Sequence, residues 1–494
     1  EHVPSATLPS TLVFEHPTVR QLVDTLTGKL EQSHGDIPQQ RRADTKDSPH
    51  ALPQVGVASM VANAPGGAHR NGIHALWQVA SCGHDAMGEV PKSRWDATAI
   101  PPEIDRGDVA QRQRFGGFLT NAECFDNSFF RISPAEAVVM DPQQRLLLEN
   151  GYDALHRAGL HMAQLSSSLI GVFLGIWACE YSEFLSMSGN AYSVYAATAA
   201  TCSVAAGRIS FALGMHGPCL SIDTACSSGL VAAHAGFCGV QRLECDGALA
   251  MGVNMLFSQR SSIGSALAGM TSPHGHSHTF DARADGYARA EGCHVAFLRQ
   301  QRNAPRRQLH GCLIRQDGRS ASLTAPSGQA QQALLRATYQ VAGTSILDAS
   351  CYEAHGTGTP LGDPIEIRSL ISAVLAERVG CAPLPVASFK ANAGHAEPAA
   401  GMAGMARLLA GLLEARSPPN AQLRVLNVHI ASALEGLADT CALPTQLGVE
   451  NGCRPDHPGG VSSFGYSGTI AHVLMSSDAT SPSSPLYTRQ ATFY

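Results

Sequence analysis

Short, largely apolar runs alternate along this chain with longer stretches whose apolar positions recur at helical spacing. Gly171-Val-Phe-Leu-Gly175, Ala248-Leu-Ala-Met-Gly-Val253 and His294-Val-Ala-Phe-Leu298 carry few polar positions, the pattern of strands covered on both faces. Helical patterns run over Pro142–Ala158, Ser227–Arg242, Gln329–Val341 and Ala399–Ala415. Strands and helices in alternation predict an α/β layered fold. No break interrupts this pattern between Ala51 and Met475. Upstream, residues 6–26 hold a turn and a short amphipathic helix opening after Pro17. The stretch 28–50 is polar, lacks apolar periodicity and reads as a linker. Residues 476–494 turn to Ser, Pro and Thr and read as a second linker. The longest apolar run, Ala399 to Leu413, is broken by Arg407 and falls short of the ~18–20 residues of a membrane span.

Composition narrows the picture. Charged residues make up 15% of the 494 positions, against a usual ~25%, so the chain is globular with a sizeable core. The net charge of −6 and a pI near 6.4 argue against a nucleic-acid or polybasic membrane surface. Fourteen cysteines without a CxxC pair suggest buried or reactive thiols in an intracellular, reducing compartment, cytoplasm or organelle stroma. The start, Glu1-His2-Val3-Pro4, has no initiator Met or signal-peptide core and reads as a piece of a longer polypeptide. Lysine occurs only at positions 29, 46, 92 and 390, which makes Lys390, deep in the C-terminal half, conspicuous.

Three segments can carry chemistry. Cys226 lies in Ser221-Ile-Asp-Thr-Ala-Cys-Ser-Ser-Gly229, where a strand-like run meets a helical pattern. A cysteine there would see the positive end of the helix dipole, which favours the thiolate; the alternative is an inert buried thiol. His355 sits in Tyr352-Glu-Ala-His-Gly-Thr-Gly-Thr-Pro-Leu-Gly-Asp-Pro364, a rigid loop of the kind that presents catalytic side chains. Without a Gly-Lys-Ser/Thr ending it is a poor phosphate loop. His395 falls in Ser388-Phe-Lys-Ala-Asn-Ala-Gly-His-Ala-Glu397, with Lys390 and Glu397 close in sequence. A Lys–Glu pair there would organise and polarise the imidazole; a solvated turn is the plainer reading. The glycine-rich turn Gly460–Thr469 can expose backbone N–H groups as an oxyanion hole. Three alternating histidines, 274, 276 and 278, lack flanking ligands at zinc-site spacing, so no metal is expected. One cysteine and two histidines suit thiol acyl transfer, and a cysteine protease would need the same inventory.

Taken together, the motifs resemble those of a β-ketoacyl synthase (ketosynthase) domain of a modular polyketide synthase. The resemblance rests on DTACSSG with Cys226, EAHGTGTPLGDP with His355 and KANAGHAEPAAG with His395, in the family's order and spacing. It also rests on Met140–Arg145, Ser203–Arg208, Phe280–Gly286 and Ser463–Thr469. It implies the thiolase fold, two similar βαβαβ halves in five αβαβα layers over residues 51–475, and a homodimer. It implies Cys226 as the acylated nucleophile, His355 and His395 as promoters of malonyl decarboxylation, and Lys390 and Glu397 as support. The backbone N–H groups of Cys226 and Tyr466 would form the oxyanion hole. Phe464, Gly465, Tyr466, Thr357 and Thr359 would line the substrate pocket and its gate. The domain would bind no cofactor itself, substrates arriving on the phosphopantetheine of acyl carrier proteins. Residues 1–27 resemble the last helix of such a carrier, and Tyr487-Thr-Arg489 a linker that packs back on ketosynthases. The short gap before that linker implies a separate acyltransferase. Departures from the family pattern are the divergent opening 55–65, Ala290, Tyr466 and Ile470. The expected reaction is decarboxylative Claisen condensation; the alternatives are a ketosynthase that only transfers chains and an inactive dimerisation scaffold. A thiolase would need a second cysteine, which Gly465-Tyr-Ser-Gly468 lacks.

Overall fold

The computed structural model describes residues 53–67, 72–101, 104, 107–300, 307–447 and 453–478. The carrier-like helix, the first linker and the Tyr487–Arg489 tail lie outside the described residues. The elements follow one plan twice. In the first half they are β1 (Val55–Asn63), α1 (Pro142–Arg157), β2 (Ile170–Gly175), α2 (Cys202–Leu213), β3 (Cys219–Ile222), α3 (Ser228–Gln241), β4 (Gly247–Asn254) and β5 (Gly292–Gln300). In the second they are β6 (Arg307–Gln316), α4 (Gly328–Ala342), β7 (Tyr352–Glu353), α5 (Gly362–Ala373), β8 (Leu384–Ala387), α6 (Ala400–Glu414), β9 (Gly459–Phe464) and β10 (Thr469–Ser477).

The strand order is β3-β2-β4-β5-β1 in one half and β8-β7-β9-β10-β6 in the other, the same permutation. The senses match as well. β2 runs parallel to β3 and β4, as β7 does to β8 and β9, while the last two strands of each half pair antiparallel. β1 and β6 pair antiparallel at Val55–Leu309 and Gly56–Gln308, joining the halves edge to edge. Helices α3 and α6 pack on each other and on strands of both halves. α1 and α2 cover the outer face of the first half, α4 and α5 that of the second. This is the five-layer αβαβα thiolase arrangement that the motifs imply.

Local chemistry sets the element ends close to where the sequence pattern puts them. α1 opens with Pro142 in its first turn and Asp141 as cap, whose carboxylate accepts the Gln143 N–H at 2.8 Å. α4 is capped by Ser327 and closed by Gly343 at φ +63°. α6 is rich in Gly and Ala and buried over Ala400–Leu412. Its interrupting charge, Arg407, is paired at 2.9 Å with the buried Glu353 of β7, so it ties the central layer to the second half. β10 pairs with β6 as far as Ser477–Arg307, and Ser476 and Ser477 are buried, so the last strand runs two residues past Met475.

Gly175, at the end of β2, shows how tightly the sheet meets the start of α3. A β-carbon there would lie 2.6 Å from Gly229 N and from the Ser228 carbonyl carbon. Gly175→Ala should therefore push α3 away and lower stability by about 1–3 kcal/mol, with slower acylation of Cys226, which sits at that helix start. Urea denaturation and acylation rates check this; an unchanged midpoint would refute the packing argument.

Candidate active site

Cys226 occupies the turn between β3 and α3. The residue before it, Ala225, has a left-handed φ of +54°, a strained conformation for a side chain with a β-carbon. Two serines staple the turn. Ser228 Oγ accepts the Thr224 N–H at 2.9 Å and donates to Ala225 O at 2.6 Å, while Ser227 Oγ donates to Thr224 O at 2.9 Å. From β9, Ser463 Oγ donates to the carbonyl of Cys226 at 2.7 Å. Gly465 comes so close that a β-carbon would meet Thr224 O at 2.3 Å. The backbone N–H groups of Tyr466 and of Cys226 itself act on the Cys226 thiol and draw it downward.

His355 follows β7. Its N–H and that of Gly356 donate to the Glu366 carboxylate of α5 at 2.7 and 2.8 Å. Asp363, on the first turn of α5, accepts the N–H groups of Gly358 and Phe280 at 3.1 and 2.8 Å. His395 lies between β8 and α6, its main chain held by Ala288 O at 2.7 Å and Ala290 N at 2.9 Å. The His355 and His395 rings stand edge to face, 5.7 Å between centroids. Phe464 packs on His355 at 5.3 Å and Tyr287 on His395 at 4.9 Å.

Cys226, His355, His395, Phe464, Gly465, Tyr466, Thr357 and Thr359 all line one cleft of about 290 Å³. The Tyr466 side chain stands half-exposed in its wall. Lys390 and Glu397 are buried behind it and do not pair. Lys390 faces the carboxylates of Glu353, Glu366 and Asp363; Glu397 is held by Arg289 at 2.6 and 3.0 Å and by Asn254 at 3.1 Å. The expected Lys–Glu pair is thus replaced by two separate charge clusters. Reasoning from the sequence misses Tyr287, Arg289, Asp363 and Glu366, although Asp363 lies inside a quoted motif and the others lie within three residues of one.

Electrostatics correct a second expectation. Burial, with the Glu397 charge behind it, pushes the Cys226 thiol up to about 12, against the opposing pull of Lys390 and the two amides. The resting group is a thiol, because the helix dipole acts only locally while desolvation penalises the thiolate outright. Burial, then the Lys390 charge, holds both His355 and His395 well below the ordinary imidazole range, so both are neutral. His395 Nδ1 accepts the Glu397 N–H at 3.1 Å, which leaves the proton of the neutral ring on Nε2. Among the described residues, His395 Nε2 and His355 Nδ1 have no hydrogen-bond partner. The loop histidines go elsewhere: His274 contacts Asp285 at 2.7 Å and His276 contacts Asp85 at 2.8 Å.

A buried cysteine and two neutral imidazoles lining one cleft suit condensation on a thioester, and known proteins are similar to this chain. The family described as Beta-ketoacyl synthase, N-terminal domain, matches residues 53–304, and its C-terminal domain matches 307–424. The chain belongs to the β-ketoacyl synthase family. This ketosynthase is 37% identical over 474 residues to a phenolphthiocerol/phthiocerol polyketide synthase of Mycobacterium tuberculosis, covering 94% of this chain and 24% of that protein. It is 34% identical over 480 residues to the pikromycin polyketide synthase component PikAII of Streptomyces venezuelae, covering 95% and 12%. The chain thus spans a quarter or less of these curated relatives. Among solved structures, the module 6 ketosynthase of the bacillaene synthase from Bacillus subtilis aligns with a TM-score of 0.76 at 31% identity, covering 86% of this chain and 72% of that one. The oxazolomycin ketosynthase domain OzmH KS7 of Streptomyces albus aligns with a TM-score of 0.77 at 28% identity, covering 88% and 75%.

Because burial pushes the Cys226 thiol up to about 12, alkylation of Cys226 should rise with pH. Between pH 7 and 9 the thiolate fraction grows about tenfold per pH unit. Iodoacetamide labelling of Cys226, followed by peptide mass spectrometry, should accelerate accordingly; a plateau already reached at pH 7 would mean a low-pKa thiolate.

Proposed function

We propose that this ketosynthase extends a carrier-bound acyl chain by two carbons through Cys226, His355 and His395. In the first half-reaction the Cys226 sulfur attacks the carbonyl carbon of an acyl-carrier thioester. The new C–S bond replaces the old one, and the thiol proton leaves with the carrier thiolate. In the second, a malonyl-carrier loses CO₂, and the electron pair of the broken C–C bond becomes an enolate whose oxygen takes N–H donation from the two neutral imidazoles. The enolate carbon attacks the Cys226 thioester, and the oxyanion of the tetrahedral adduct takes the N–H groups of Cys226 and Tyr466. Collapse expels the Cys226 thiolate, which regains a proton, and leaves a β-ketoacyl-carrier.

The observation that carries this reading is the convergence of Cys226, His355 and His395 on one cleft. Two imidazoles with unpartnered nitrogens favour condensation over a role limited to chain transfer. Thr357 and Thr359 would receive the phosphopantetheine arm along the same cleft, so acyl carrier proteins are the partners, with a separate acyltransferase loading the extender. A homodimer fits the edge position of β3 and the exposed Leu220 and Phe211 beside it. Burial first and the Lys390 charge second keep both imidazoles neutral, and Glu397 anchors the His395 ring.

Intact-protein mass spectrometry separates the half-reactions. Cys226→Ala should gain no acyl mass. His355→Ala and His395→Ala should still acylate within a few-fold of the parent, yet lose condensation by about 100-fold or more. Acyl mass on Cys226→Ala, or equal loss of both half-reactions in the histidine variants, would contradict the assignment.

A further inference from the structure

Glu397 is buried and carries a left-handed φ of +48°, a conformation that crowds the β-carbon against the following carbonyl oxygen. Something must hold it there. Its carboxylate is gripped by the buried Arg289, Nε to Oε1 at 2.6 Å and Nη2 to Oε2 at 3.0 Å. The guanidinium is itself anchored, Nη1 to Ser262 Oγ at 2.9 Å and Nη2 to Glu180 Oε1 at 3.0 Å. Asn254 Nδ2 adds a bond to Glu397 Oε2 and another to Ala290 O. The stretch Ala288–Ala290 meanwhile bonds both main-chain groups of His395, and Tyr287, just before it, packs on the His395 ring. One short segment therefore fixes the His395 backbone through its main chain and the Glu397 backbone through the Arg289 side chain.

We propose that Arg289 is a positioning residue for His395: by holding Glu397 in its left-handed conformation, it aims the Glu397 N–H at His395 Nδ1. The ring is thereby locked as the tautomer with its proton on Nε2. The inference rests on the reading of His395 as an N–H donor to the enolate. A ring released from that bond can carry its proton on Nδ1 instead and present a lone pair where a donor is needed. Arg289 touches no substrate; it acts through Glu397. A second role of the clamp is reach, since Glu180 also accepts the N–H groups of Phe257 and Ser258 at 2.8 and 2.9 Å, tying that loop to the histidine.

The test exploits glycine, which adopts positive φ without strain. Glu397→Ala and Glu397→Gly both delete the carboxylate that Arg289 grips; only alanine resists the required backbone. The proposal predicts that condensation is about tenfold or more slower in Glu397→Ala than in Glu397→Gly, with Cys226 acylation alike in the two. Nitrogen-15 spectra of histidine-labelled protein, with His395 assigned by its loss in His395→Ala, should show protonated Nε2 in the parent and in Glu397→Gly. Glu397→Ala and Arg289→Met should show mixed or Nδ1-protonated rings. Equal condensation in the alanine and glycine variants, or an unchanged tautomer in Arg289→Met and Glu397→Ala, would overturn the proposal. These spectra need no turnover. Parent enzyme that keeps the Nε2 proton but fails to condense would refute the functional reading and leave the clamp standing.

Discussion

Two neutral imidazoles held beside a buried ammonium are the constraint around which this domain is built. A desolvated Lys390 is costly unless acidic groups face it, and Glu353, Glu366 and Asp363 do so from β7 and α5. Those carboxylates are in turn occupied. Glu353 pairs with Arg407 of α6, and Glu366 and Asp363 accept main-chain N–H groups of the His355 loop. Each carboxylate that faces the ammonium is thus also tied to a neighbouring segment of the fold. Stability and site electrostatics share the same bonds.

The duplicated fold explains how the reacting groups come to face one another. Cys226 lies between β3 and α3, and the Lys390–Glu397 segment lies between β8 and α6, the equivalent place in the second half. Because α3 and α6 pack on each other in the central layer, their N-terminal approaches meet. His355 enters from the loop after β7, and the turn after β9 closes the cleft with Phe464, Gly465 and Tyr466. The resulting chemistry relies on N–H donors set in advance, with the thiol protonated and the imidazoles uncharged until substrate arrives.

Much of this was readable from the chain. The four helices and three strands singled out by their patterns appear within about two residues of their expected ends, because caps such as Asp141, Ser327 and Gly343 are local signals. The motif residues do share one cleft, since their order reflects the repeated strand–helix unit. What local reasoning missed was the pairing of buried charges. Lys390 and Glu397 are near neighbours in sequence, yet the left-handed turn at Glu397 sends its carboxylate to Arg289, more than a hundred residues away. Arg407 looked like an interruption of an apolar run and is the partner of Glu353. The thiolate expected at Cys226 failed for the same reason: the helix start is visible in the sequence, whereas the depth of burial that opposes it comes from β9 and the histidine loops.

The charge state of the two rings bears most directly on this account. Following the ring signals of His355 and His395 by NMR from pH 8 to pH 5.5, each assigned by its alanine variant, measures it in the resting enzyme. Burial and the Lys390 charge predict that neither ring titrates across that range. A ring that takes up a proton near the ordinary value of about 6.5 would contradict the claim that the site works through neutral imidazole donors.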